Sequence, residues 1–124
     1  MRSGWRISRA EFELLVEEAV RGLPRQFRRL LDNIAVMVED EPGDADYDEH
    51  DIDDDSELLG VFRGIPLTHR YYDQLPTLPN QVVIFRGPIL RCAATRDEAI
   101  EQIRETVVHE LGHYFGLSDE EMAF

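Results

Sequence analysis

The stretch from Arg96 to Asp119 leaves this chain fewer structural options than any other. Ile100, Ile103, Val107, Leu111 and Tyr114 recur three or four residues apart, the spacing of one face of an α-helix. Gly116 follows at the point where a left-handed C-terminal cap is expected, so the pattern predicts a helix that ends in a sharp turn. At about 100° per residue, with Val107 taken as zero, His109 falls near about 200° and His113 near about 240°. Both imidazoles therefore lie on the side away from the apolar stripe, facing a cleft. One helical turn separates them, and they can converge on a single ion.

Glu110 projects about 100° round the helix from His109, the place for a carboxylate that flanks such an ion without binding it. A zinc ion there would lower the pKa of a bound water toward about 7, and a flanking carboxylate could take the proton and pass it to a leaving amine. This is the chemistry of peptide hydrolysis. Gly116 allows the chain to return a third ligand after His113, and Asp119 stands at the required place. Two neutral imidazoles and one carboxylate leave the fourth position open, as a catalytic zinc requires. Glu120 and Glu121 compete for that third position, and His69 is a more distant alternative. Gly112 lies within the helix at a cost of about 1 kcal/mol relative to alanine, which suggests the close approach of another backbone.

Charge excludes other classes of function. A formal net charge of -13 argues against electrostatic binding to nucleic acid or to an anionic membrane, which needs clustered basic residues. No apolar run approaches the length of a membrane span, and the basic N-terminus leads into an amphipathic stretch with no signal-peptide core, so a cytoplasmic protein is expected. Cys92 is the sole cysteine, which rules out an internal disulfide and a cysteine-rich zinc site. We expect it to be buried and inert, and His50 and His69 to be surface residues. Trp5 is expected to pack at the N-terminus, and Tyr71 and Tyr72 beside the sheet. Acidic residues crowd the segment from Glu39 to Glu57, which reads as a solvated loop. Asp44, Asp46 and Asp48 imitate the start of a calcium-binding loop, but Glu49 stands where glycine is needed and Asp55 where glutamate is needed.

The rest of the chain supplies a scaffold of 124 residues, expected to form one domain over 1–124. Ser8 and Glu11 have the spacing of a capping box, and Phe12, Leu15, Val16 and Ala19 continue it as a helix to about Arg21. Phe27, Leu30 and Leu31 suggest a second helical turn. Ile34 to Val38 reads as a strand covered on both faces, and Leu58 to Ile65 and Gln81 to Phe85 as two more strands. The last of these is our first candidate for an exposed edge. Pro66, Pro76 and Pro79 preclude a long regular element between them. The expected fold class is α+β, with helices packed on a small mixed sheet and the site carried by the final helix.

The segment His109-Glu110-Leu111-Gly112-His113-Tyr114-Phe115-Gly116-Leu117-Ser118-Asp119 resembles the zincin signature H-E-x-x-H-x-x-G-x-x-[HD], in the aspartate form also seen in snapalysin-like small metalloproteases. Gly60 to Thr68, the Gln81 to Phe85 strand and the final helix extend the likeness to small bacterial zincin-like metallopeptidases, or minimal zincins. The resemblance implies an intracellular bacterial protein with a zincin-like fold. It implies one zinc per chain on His109, His113 and Asp119, Glu110 as general base, and a peptide or unfolded protein segment as substrate. With five residues after Asp119, the substrate cleft should be shallow. A reading from another class is a metal-binding regulatory or interaction module that keeps the site without catalysis.

Overall fold

The helix predicted at Ser8 forms as its spacing requires. In a computed structural model, which describes residues 6–44, 46, 57–63 and 80–123, α1 spans Arg9–Arg21 behind a Ser8 cap. The Ser8 hydroxyl accepts from Glu11 N, and the Glu11 carboxylate accepts from Ser8 N at 3.0 Å, so two otherwise orphaned amides are satisfied reciprocally. Phe12, Leu15, Val16 and Ala19 bury one face of the helix. Gly22 and Pro24 end it, and α2 (Arg25–Leu30) buries Phe27.

Three strands, β1 (Ile34–Glu39), β2 (Gly60–Arg63) and β3 (Asn80–Phe85), form a mixed sheet in the order β1-β3-β2. β1 runs parallel to β3, with Val36 opposite Val82, and β2 runs antiparallel to β3, with Phe62 opposite the same residue. The fold is thus α+β on a small mixed sheet, as expected. Two strand assignments change places, however. β3 is central and Val82, Val83, Ile84 and Phe85 are fully buried. Val82 and Ile84 join the main core with α1 and the final helix, while Val83 and Phe85 join Leu58 and Val61 on the other face. β1 is the half-covered edge strand, with Met37 exposed. Both segments are short apolar runs, and only the order of strands in the sheet decides which one is covered twice.

β3 passes directly into α3 (Arg86–Cys92), a helix that Gly87 and Pro88 conceal in the sequence. Proline is harmless there, because the first amides of a helix have no intrahelical acceptor to lose. After Thr95, whose hydroxyl accepts from Glu98 N, α4 (Arg96–Phe115) packs against α1, α2, α3, β2 and β3. Nearly every side of it is covered. The exposed row is Glu101, Glu105, His109 and His113, spaced four apart along one side. A short helix, α5 (Asp119–Met122), then folds back on α4.

Several acidic side chains of the segment expected to be a solvated loop are instead tied to the scaffold. Arg63 binds Glu39 at 2.8 Å and Asp46 at 2.9 Å, Arg86 binds Asp40 at 2.9 Å, and Arg91 binds Glu41 at 2.8 Å and Glu57 at 2.5 Å. The Arg91 guanidinium holds the Glu41 carboxyl below its ordinary range. Cys92 is exposed rather than buried as a residue. Its thiol donates to the Ile89 carbonyl at 3.6 Å, and partial burial beside Glu57 pushes it up, away from the thiolate a nucleophile needs. Most of the calcium-loop imitation, Trp5, His50, His69, Tyr71, Tyr72 and the three prolines between β2 and β3 lie outside the described residues.

Gly116 turns the chain at φ 70° and ψ 35°, the left-handed cap expected of it, and its position is open, with no atom of the described residues near enough to obstruct a Cβ. Gly116→Ala should therefore lose only the backbone preference, about 1 kcal/mol of stability. Urea unfolding of both proteins measures it.

Candidate metal centre

His109 and His113 occupy the exposed row of α4 with their ring centroids 4.2 Å apart and the rings inclined at 60°. Neither has to be uncovered to reach an ion. Glu110 is different: it is 5% exposed and turned toward the sheet, where Phe62 N donates to its Oε1 at 3.0 Å. One ligand atom from each of His109, Glu110 and His113 lies within 4.8 Å of the others. Two exposed imidazoles one helical turn apart, with a carboxylate beside them, are the chemistry zinc takes, so the residues present fit the metal expected from the sequence.

The contact to Phe62 belongs to a longer series of contacts. The Phe62 ring stacks on Tyr114 at a centroid distance of 4.1 Å and an angle of 18°. Asn80 Nδ2 donates to the Tyr114 hydroxyl at 3.2 Å, while the buried Asn80 Oδ1 has no hydrogen-bond partner among the described residues. β2, the start of β3 and the last turn of α4 are thereby joined around Glu110. Tyr114, placed by its period on the apolar stripe, thus connects the helix to both strands.

Asp119 stands outside the group of three. It is exposed at the first position of α5, and with His109 it lines a cavity of about 230 Å³ whose walls also include Glu105, Val108, Met122 and Ala123. The chain reaches it through Gly116, with Leu117 N donating to Gly112 O at 2.9 Å. Ser118 then caps α5: its hydroxyl accepts from Glu121 N at 3.1 Å, and its own amide donates to Glu121 Oε1 at 2.9 Å. Hydrogen bonds from Ser118, the backbone one foremost, hold the Glu121 carboxyl below its ordinary range. Glu121 is committed to the cap, and Glu120 is exposed and not among the residues lining the cavity. Of the three carboxylates that compete in the sequence, Asp119 is the one that shares a cavity with His109.

Sequence reasoning overlooks several residues here. Glu105 precedes His109 by four, and that spacing was a usable signal. The second Ser-x-x-Glu spacing, at Ser118 and Glu121, could have announced α5. Nothing local announces Phe62 or Asn80. At Gly112 the expected close approach exists, but the group that approaches is the Met122 side chain and not a backbone.

A model of the zincin-like metallopeptidase family matches residues 31–124. No curated protein matches the chain. Among solved structures, a conserved hypothetical protein from Thermus thermophilus is similar at 22% identity and a TM-score of 0.55, over 88% of this chain and 94% of that one. At that identity the likeness speaks for the fold.

Proposed function

Because the chain belongs to the zincin-like metallopeptidase family, we propose that it is a zinc-dependent peptidase with Glu110 as its general base. His109, His113 and Asp119 would hold the metal. When bound, zinc supplies a Lewis acid that polarises a peptide carbonyl and acidifies a water. The observation that carries the reading is the grouping of His109, Glu110 and His113 ligand atoms within 4.8 Å, with the two histidines exposed and the glutamate buried.

The chain's own residues divide the remaining work. Phe62 N fixes the Glu110 carboxylate through a hydrogen bond to Oε1, so the proton it takes from an attacking water moves to a base held in place. That proton can then pass to the departing amine. The exposed row of α4 would present the two imidazoles to an extended peptide. β2, and not the central β3, is the described edge strand beside Glu110, so it replaces β3 as the candidate edge for such a peptide, through backbone groups other than the Phe62 amide that Glu110 already holds.

Zinc-loaded protein should hydrolyse members of a diverse peptide pool near neutral pH, and a chelator should stop it. Protein that binds zinc and cleaves nothing would instead be a metal-binding module of the family. The third ligand has its own test. Asp119→Ala should weaken zinc by more than the roughly 10-fold to 100-fold that outer-shell partners contribute, while Glu120→Ala leaves it unchanged. Glu121→Ala, which removes a cap and not a ligand, should fall between them. Competition with a chromophoric chelator ranks the three.

A further inference from the structure

We propose that Met122 is a positioning residue for Asp119, seated in the space that Gly112 leaves open on α4; the inference rests on Asp119 being the third zinc ligand.

α5 is too short to hold itself together. Four residues do not repay the nucleation of a helix, none of the four is buried, and its two supports are the Ser118 cap and whatever α5 packs against. Among the described residues, that packing is Met122. It is half-buried against the main core, and the thioether lies over Gly112, where a Cβ would fall on the sulfur and within 3.0 Å of Cγ and 3.3 Å of Cε. Any side chain at position 112 would force the thioether to shift. Glycine inside a helix costs about 1 kcal/mol relative to alanine, and here it gives access to the methionine.

The seat lies next to the metal-binding row. Gly112 is three residues after His109 and one before His113, so a group resting on it abuts the face that carries His109. Asp119 and Met122 are themselves three apart on α5, hence on one side of it, and both line the cavity with His109. Met122 thus decides where Asp119 stands, although it offers the metal nothing that a carboxylate or imidazole would not displace. Losing the seat leaves the cap as the one support of α5 among the described residues, and Asp119 then spends part of its time away from the site. Apparent affinity falls in proportion to the fraction of chains that remain competent, so a decrease of that fraction to about a tenth weakens zinc about tenfold.

Zinc affinity of the full chain, measured by competition with a chromophoric chelator and accompanied by circular dichroism to verify the fold, tests this directly. Met122→Ala should weaken zinc about tenfold with the fold intact, and Met122→Leu, which refills the seat, should restore affinity. In an Asp119→Ala background, Met122→Ala should have no further effect, since it acts only through Asp119. Gly112→Ala should also weaken zinc, and less so when Met122→Ala makes room for the methyl group. Equal losses from Met122→Ala with and without Asp119, or no loss at all, would overturn the positioning role while leaving Asp119 as ligand. Wild-type affinity in Asp119→Ala itself would overturn the ligand assignment, and the positioning role with it.

Discussion

Glu110→Gln should keep its zinc and lose at least about a hundredfold of its peptide hydrolysis, the lower end of what a positioned acid or base contributes. Glutamine preserves the size of the side chain and still presents an oxygen to Phe62 N, so the 3.0 Å hydrogen bond that fixes position 110 has a counterpart in the variant. What it cannot do is accept a proton from an attacking water. Metal analysis and a peptide assay on the same preparation separate the causes of any loss. Retained zinc with lost turnover assigns the base. Lost zinc would make Glu110 a ligand, an outcome its proximity to both imidazoles makes worth measuring. Unchanged turnover would place the activity elsewhere.

The second large effect belongs to the imidazoles. His109→Ala and His113→Ala should each reduce metal content from about one zinc per chain to a trace after dialysis, because a site with three protein ligands cannot lose one and remain tight. Both side chains lie on the exposed row of α4, so neither substitution opens a cavity and the fold should survive. Circular dichroism confirms that, and metal analysis decides the rest. Full stoichiometry in either variant would remove the site from this helix. Removal of zinc from the intact chain should likewise leave α4 standing, because its opposite sides are buried against α1 and the sheet.

How far these features could be read in advance depended on how local their causes are. Ser8 with Glu11, the stripe from Ile100 to Tyr114, and the pair His109 and His113 are all written within a few residues, and the periodicity of a helix is enough to place them. Gly116 is equally local, since a left-handed cap needs no partner. The roles of β1 and β3 are not local. Ile34 to Val38 and Gln81 to Phe85 look alike as strings, and their burial differs only because β2 pairs with one and not the other. α3 is hidden by a glycine and a proline that mean one thing inside a helix and another in its first turn. The surroundings of Glu110 are still less accessible. Its bond to Phe62 joins residues forty-eight apart, and no spacing within the chain announces such a contact.

That same bond gives the site a built-in gauge. An amide at the rim of a sheet ordinarily exchanges its hydrogen readily with solvent, because no neighbouring strand retains it. The Phe62 amide is retained by a carboxylate from a different element, so its rate of exchange follows the separation of β2 from α4 and not the melting of the sheet. Slow exchange there marks chains in which Glu110 is held against β2. A rate at Phe62 faster than at the central-strand amides of Val82 to Ile84 would show the site opening while the rest of the protein remains folded.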